Sequence, residues 1–135
     1  MEQAMKQAGF AVLAVLAMGA AARADIPLKD QPAIRDGLIT AGMAIEIGDK
    51  CPSLSVRMIR GYFYLEDLKR QARALGYSDD EINAYVKDKA EKARLEDVGR
   101  AQLRDLGTVD GDAESYCAVG RAQMAAGTTL GGLLR

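Results

Sequence analysis

Apolar side chains recur every three or four positions beyond residue 31, which is the spacing of one helical face. Ile34, Leu38 and Ile45 follow this pattern and predict a first helix over residues 32–47. The polar and turn-forming residues 48–52 then interrupt it.

A second helix is expected from a cap at Ser53 to Leu75, because Gly76 occupies the position where helices commonly end. Positions three or four residues apart predict which side of this helix faces the core. These core positions are Ile59, Tyr62, Leu65, Leu68, Ala72 and Leu75.

The sequence Ser78-Asp79-Asp80-Glu81 is a capping box, in which the serine hydroxyl and the glutamate carboxylate each bind the other residue's backbone amide. It predicts the start of a long third helix that ends at Gly107, with Gly99 as a potential kink. The apolar positions that support this helix are Ile82, Tyr85, Val86, Ala93, Val98, Leu103 and Leu106.

Asp112 follows a turn-rich linker and is expected to cap a fourth helix, which Gly127 ends or loosens. This helix carries Tyr116, Cys117, Gly120 and Met124. Residues 128–135 either dock as a last turn or fray. Because no segment after residue 24 has the alternation of a strand, the predicted fold is all-α, a small bundle of about four helices.

The first 24 residues have the three-part layout of a secretory signal peptide. Lys6 precedes an apolar run over residues 8–22, and the small-residue triplet 22–24 provides a cleavage site before Asp25. A run of this length is shorter than the roughly 20 residues that span a bilayer, so no stable membrane insertion is expected after cleavage. A retained N-terminal anchor and a buried helix of the fold are the alternatives.

Cleavage removes Lys6, Arg23 and Glu2, which leaves 16 basic and 18 acidic residues and a net charge of −2. This balance argues against nucleic-acid binding. Residues 25–135 have the length of a single helical domain.

Cys51 and Cys117 are the two cysteines, and an even number in an exported protein indicates a disulfide. In the chain-entropy model, closing a loop of about 65 residues stabilises a domain by roughly 4 kcal/mol. A redox-active pair is the alternative, but it typically has the Cys-X-X-Cys spacing that these residues lack.

The sequence predicts no catalytic, cofactor-binding or metal-binding residue. Histidine, the commonest general base and zinc ligand, is absent from the chain. The acidic clusters at 79–81 and 110–114 lack the ligand spacing of a calcium loop and are interpreted as helix caps and turns. The mixed charges of residues 87–97 predict a solvated helix face, with a partner-binding face as the alternative.

Several stretches together are similar to the domain of unknown function numbered 5333, a family of small exported alphaproteobacterial proteins. They are Cys51-Pro52-Ser53, Gly76-Tyr77-Ser78-Asp79, Ala84-Tyr85-Val86, residues 89–95, Glu114-Ser115-Tyr116-Cys117 and Leu133-Leu134-Arg135. The resemblance implies a family-wide disulfide and a location in the Gram-negative periplasm, and it implies no established activity.

We therefore expect a protein without enzymatic activity or cofactor that binds a protein partner, as an accessory subunit at the periplasmic face of an inner-membrane complex. The alternative is a periplasmic holdase resembling small acid-stress chaperones. Because the chain lacks histidine, a pH switch in such a chaperone would depend on carboxylates with raised pKa.

Overall fold

The computed structural model describes residues 26–135, which form an all-α fold, as the sequence predicts. The predicted signal peptide lies outside the described residues. After a 3-10 turn at Leu28–Asp30 come α1 (Pro32–Lys50), α2 (Met58–Ala74), α3 (Asp79–Lys87), α4 (Lys89–Leu106), α5 (Ala113–Ala125) and the short α6 (Thr129–Gly132).

Helix α1 lies at the centre and packs against α2, α4, α5 and α6. It runs antiparallel to α2, since Gly37 lies against Leu68 while Gly48, near the other end of α1, lies against Val56. One face of α1 is fully covered by its neighbours. That face carries Ile39, Met43, Ala44 and Ile47, which belong to the main core.

The second helix begins at Met58, so the prediction of a cap at Ser53 is wrong. The segment before Met58 is extended because its backbone pairs with the C-terminal residues. Ser55 exchanges two hydrogen bonds with Arg135, each 2.9 Å long, and the Arg57 amide donates to the Leu133 carbonyl. These amides and carbonyls therefore have partners that helix formation would remove.

The C-terminal residues dock against the core, which selects the first of the two predicted alternatives. Leu130, Leu133 and Leu134 are buried in the same core as the disulfide. The Arg57 side chain donates to the Leu134 carbonyl at 3.1 Å and fastens the tail.

The prediction of a single long third helix is wrong, because Asp88 divides this region into α3 and α4. Asp88 has extended backbone angles, and its carboxylate accepts a hydrogen bond from the Glu91 amide, which caps α4. Helix α4 continues through Gly99 without interruption. A β-carbon there would lie 3.4 Å from Met43, which is an ordinary van der Waals contact between α4 and α1.

The other helix caps predicted from sequence, at Ser78 and Asp112, are confirmed. Ser78 and Glu81 form the reciprocal capping box, and Asp112 caps α5 by accepting from the Ser115 amide. Gly107 ends α4 with a φ of 120°, a left-handed conformation that favours glycine.

The predicted disulfide joins Cys51, directly after α1, to Cys117 in α5. Both cysteines are buried, and their Cα atoms are 5.1 Å apart. Ser53 lies beside the bridge, with its hydroxyl 3.3 Å from the Cys51 sulfur. The bond therefore links the end of the central helix to the helix that leads into the docked tail.

Replacing both Cys51 and Cys117 with alanine should lower the free energy of unfolding by roughly 4 kcal/mol, because the bridge closes a long loop in the unfolded chain. Urea denaturation monitored by circular dichroism measures the loss. Reducing the wild-type protein should produce a similar loss and leave the double variant unchanged. Equal stability of the oxidised protein and the double variant would show that the bridge does not constrain the fold.

Candidate binding groove

An apolar groove of about 510 Å³ lies on the surface of the helical domain. Helix α1 forms its floor, α2 and α4 form its walls, and α3 closes it at the end where Leu28 also lines it. The α1 positions that line the floor are Ile34, Leu38, Ala41, Gly42, Ile45 and Asp49, and Glu46 lines the side next to α4.

Successive floor positions are three or four residues apart, except for the adjacent Ala41 and Gly42, and therefore share one side of α1. The opposite side of the helix is buried in the core through Ile39, Met43 and Ile47. Helix α1 thus has two apolar faces. One face packs against neighbouring helices, and part of the other remains open, with Ile45 52% exposed.

The prediction of one core face along α2 is correct only for its C-terminal half. Leu68 and Ala72 are buried, whereas Ile59, Tyr62 and Leu65 are exposed. Helix α2 contacts α1 through another side: the Tyr64 hydroxyl donates to the Gly37 carbonyl at 3.1 Å. Because Tyr64 faces α1, the neighbouring apolar positions of the first two turns face outward.

Exposed side chains continue the apolar surface from the groove along α2. Tyr62 lines the groove, and its ring lies edge-on to Phe63, with the centroids 5.5 Å apart. Met58 and Ile59 are 74% and 77% exposed. We call Met58, Ile59, Tyr62 and Phe63 the α2 patch. Contiguous exposed apolar surface of this kind is characteristic of binding sites.

Charged side chains line the rim, and most of them pair within their own wall. On the α2 wall, Lys69 donates to Glu66 at 2.9 Å. On the other side, Arg100 lies 3.5 Å from Glu46 and 3.8 Å from Glu96. The hydrocarbon floor and paired rim are suited to burying apolar side chains, with polar contacts at the edge.

Glu91 corrects the prediction that residues 87–97 form only a solvated face. Its side chain is buried beside the closed end of the groove, where it accepts two hydrogen bonds from Arg94. The Arg94 guanidinium holds the pKa of Glu91 below its usual range. Burial and the Glu91 carboxylate raise the pKa of Tyr85 to about 12. This cluster is a structural ion pair with a neutral tyrosine beside it.

Within residues 26–135, no group of three or more cysteine or acidic side chains is arranged to hold a metal ion. The acidic residues at 79–81 lie at the N-terminus of α3, where Asp79 pairs with Arg73. Of the loop residues 110–114, Asp110 lies 3.4 Å from the Tyr116 hydroxyl and Asp112 caps α5. No helix in the described part of the chain is both long and apolar enough to cross a bilayer.

Gly42 is a functional candidate that the sequence interpretation missed. It lies inside α1 on the groove floor, and a β-carbon at this position would have nothing within 4 Å. Gly37 and Gly48 differ, because a β-carbon at each would crowd a neighbouring element. In a helix interior, glycine lowers the free energy of unfolding by about 1 kcal/mol relative to alanine. Among the described residues, no contact explains why position 42 carries glycine in place of alanine. Its place in the helical spacing does not distinguish Gly42 from the other glycines inside helices.

The model for the family of unknown function DUF5333 matches residues 26–135, which confirms the resemblance inferred from the sequence. No curated protein and no solved structure is significantly similar to the chain.

Gly42→Ala should raise the free energy of unfolding by about 0.8–1 kcal/mol, because the methyl group meets open space and alanine favours the helix. Urea denaturation measures the change. Gly131→Ala is the contrasting variant, since its β-carbon would overlap the Gln123 backbone, and a loss of about 1–3 kcal/mol is expected. Destabilisation by Gly42→Ala would contradict the open floor.

Stability should fall as pH rises from about 10 to about 12, because the unfolded chain loses the Tyr85 proton in this range while the folded protein retains it. Tyr85→Phe removes this contribution and should make the fall less steep. Urea midpoints at pH 9 and pH 11 for both proteins test this. Identical decreases of the urea midpoint in the two proteins would show that ionisation of Tyr85 does not change the free energy of unfolding.

Proposed function

Since the chain belongs to the DUF5333 family, whose description names no activity, we propose from its surface chemistry that it is an exported, non-enzymatic interaction protein. The groove formed by α1, α2, α3 and α4 binds an apolar helical segment of a protein partner. We place this partner in an inner-membrane complex, with the protein docking on its periplasmic face as an accessory subunit.

The single observation that carries the proposal is the open apolar floor of α1 between two charged walls. Amphipathic helices commonly bind in such grooves, with apolar side chains three or four residues apart buried against the floor. The exposed fraction of Ile45 is about half, so a partner would remove substantial apolar surface from water.

The charged groups of the groove favour binding over catalysis. Glu46, Glu66 and Glu96 each have a basic partner within 4 Å, and Glu91 pairs with Arg94. A general base needs a pKa near the working pH and access to a reacting proton. The lowered pKa of Glu91 and its contact with Arg94 do not suit it to that role.

Export is supported by two independent features. The first is the signal-like layout of residues 1–24. The second is the buried disulfide, since such bonds persist in oxidising compartments such as the bacterial periplasm.

A photocrosslinking amino acid at Ile45 tests the proposal in intact cells, with Val109 as the control position. Both residues are about half exposed, but only Ile45 lines the groove. We expect the Ile45 probe to give one adduct, mapped by mass spectrometry to an apolar helical segment of a membrane-complex subunit. Val109 should not give this adduct, and Gly42→Leu, which fills the floor, should abolish it.

An adduct that survives Gly42→Leu, or that forms equally at both positions, would contradict the proposed groove interaction. Absence of any adduct at Ile45 when the protein is at its native level would also contradict it.

The second candidate function is a holdase, and the α2 patch is the observation that favours it. Exposed apolar side chains bind partly unfolded clients without requiring a defined groove. Ile59→Ser with Phe63→Ser should then abolish suppression of client aggregation, while Gly42→Leu should not. Equal client aggregation with and without the wild-type protein at low pH would exclude this function.

A further inference from the structure

The shape and charge of the groove specify its occupant more closely than an apolar segment in general. We infer that the occupant is an amphipathic helix of about four turns, with basic residues in its N-terminal turn, lying antiparallel to α1. This inference rests on the proposed function and deepens it, because it concerns the same groove.

The length follows from the floor of the groove. The floor extends from Ile34 to Asp49 along α1, which is fifteen residue steps. At 1.5 Å per residue in a helix, the distance is about 22 Å, the length of roughly four helical turns. Helix α3 closes the groove beyond Ile34, where Ile82 and Val86 line it.

Gly42 lies near the middle of this floor and sets the depth of binding. Nothing within 4 Å would meet a β-carbon there, and the adjacent floor position is Ala41. Small residues allow another backbone to approach closely or a large side chain to enter. The occupant can therefore place a large apolar residue above Gly42, flanked by Ile45 on the same floor.

The charge of the groove lining indicates a basic occupant. The lining carries five carboxylates, from Glu46, Asp49, Glu66, Glu91 and Glu96, and three basic groups, from Lys69, Lys92 and Arg100. Four of these carboxylates have ion-pair partners. Asp49 has none among residues 26–135, and it is exposed at the open end of the groove.

The position of Asp49 gives the groove a direction. It lies in the last turn of α1, where the helix dipole adds negative potential. Glu46 lies one turn earlier and also lines the groove. Lys50 is adjacent in sequence, but neighbouring residues of a helix do not face the same side.

At the opposite end of the groove, the Glu91 carboxylate already has a partner in Arg94. Helix α1 begins there at Pro32, with its positive dipole end, and Lys92 lines the adjacent wall. A helix lying antiparallel to α1 places its own positive N-terminal end beside Glu46 and Asp49. Basic residues in that first turn then meet the unpaired carboxylate, and rim charges of this kind set orientation more than affinity.

Three synthetic sixteen-residue peptides test this inference. All three carry the same leucine face at helical spacing. The first has three lysines in its N-terminal turn, the second has the lysines in its C-terminal turn, and the third has three glutamates in its N-terminal turn. Binding is measured by fluorescence anisotropy, with disulfide-bonded protein purified from cells that express the full chain.

We expect the first peptide to bind about fivefold or more tightly than either of the others at low salt, which is the scale of a few helix-end and rim contacts. The advantage should shrink at high salt because exposed charges are screened. It should also fall severalfold in Asp49→Asn. Asp105→Asn is a matched control outside the groove lining and should leave the preference unchanged.

Gly42→Leu should weaken binding of all three peptides by more than tenfold, because the added side chain occupies the floor. Its fold is checked by its unfolding transition. Gly42→Ala provides a smaller step and should weaken binding less.

The outcomes separate this inference from the function on which it rests. Equal binding of the three peptides, together with loss in Gly42→Leu, would overturn the basic, antiparallel occupant and leave the groove as a helix-binding site. Tighter binding of the glutamate peptide would overturn it in the same way.

Absence of binding by every peptide, or binding that Gly42→Leu does not change, would overturn the proposed groove function as well. Preferential binding to phosphatidylcholine vesicles, or a dimer that Gly42→Leu disrupts, would identify a lipid or a second copy as the occupant and would likewise overturn the inference.

Discussion

The Cys51–Cys117 disulfide is the constraint on which the arrangement of the remaining elements depends. It joins the end of the central helix to α5, and α5 leads into the tail that packs beside the bridge. The extended residues after Cys51 then pair with the last residues of the chain. A single covalent bond thus holds together the region where the middle and the end of the chain meet.

The larger of the two buried cores lies on one side of α1, and a smaller one that includes Ile34 lies at the closed end of the groove. Cys51, Cys117, Leu130, Leu133 and Leu134 all belong to the core that covers Ile47. On its other side, α1 is flanked by α2 and α4, and the groove lies between these two helices. The domain therefore combines a tightly constrained half with an open apolar face.

Glycine has different physical roles in these two halves. Gly120 lies within α5, where a β-carbon would be 3.1 Å from Ile47, so its absence allows the helices to approach closely. Gly42 faces open space on the groove side. Both glycines lie inside helices, directly after an apolar residue. Only the surrounding structure shows that helix packing requires glycine at position 120, whereas position 42 is open to a ligand.

The sequence by itself determined the all-α class, the capping box at Ser78 and Glu81, and the pairing of Cys51 with Cys117. Helical periodicity and the hydrogen bonds of a capping box depend only on residues close in sequence, and two cysteines can form only one intramolecular pair. It could not determine the start of α2, since residues 55–57 are held extended by residues 133–135 at the far end of the chain. It also could not show that Ile59 and Tyr62 are exposed while Leu68 is buried, although all three follow the same spacing. Helical periodicity identifies which residues share a side of a helix. Whether that side packs against a neighbour or forms an open groove depends on how distant elements meet, which only the tertiary structure decided.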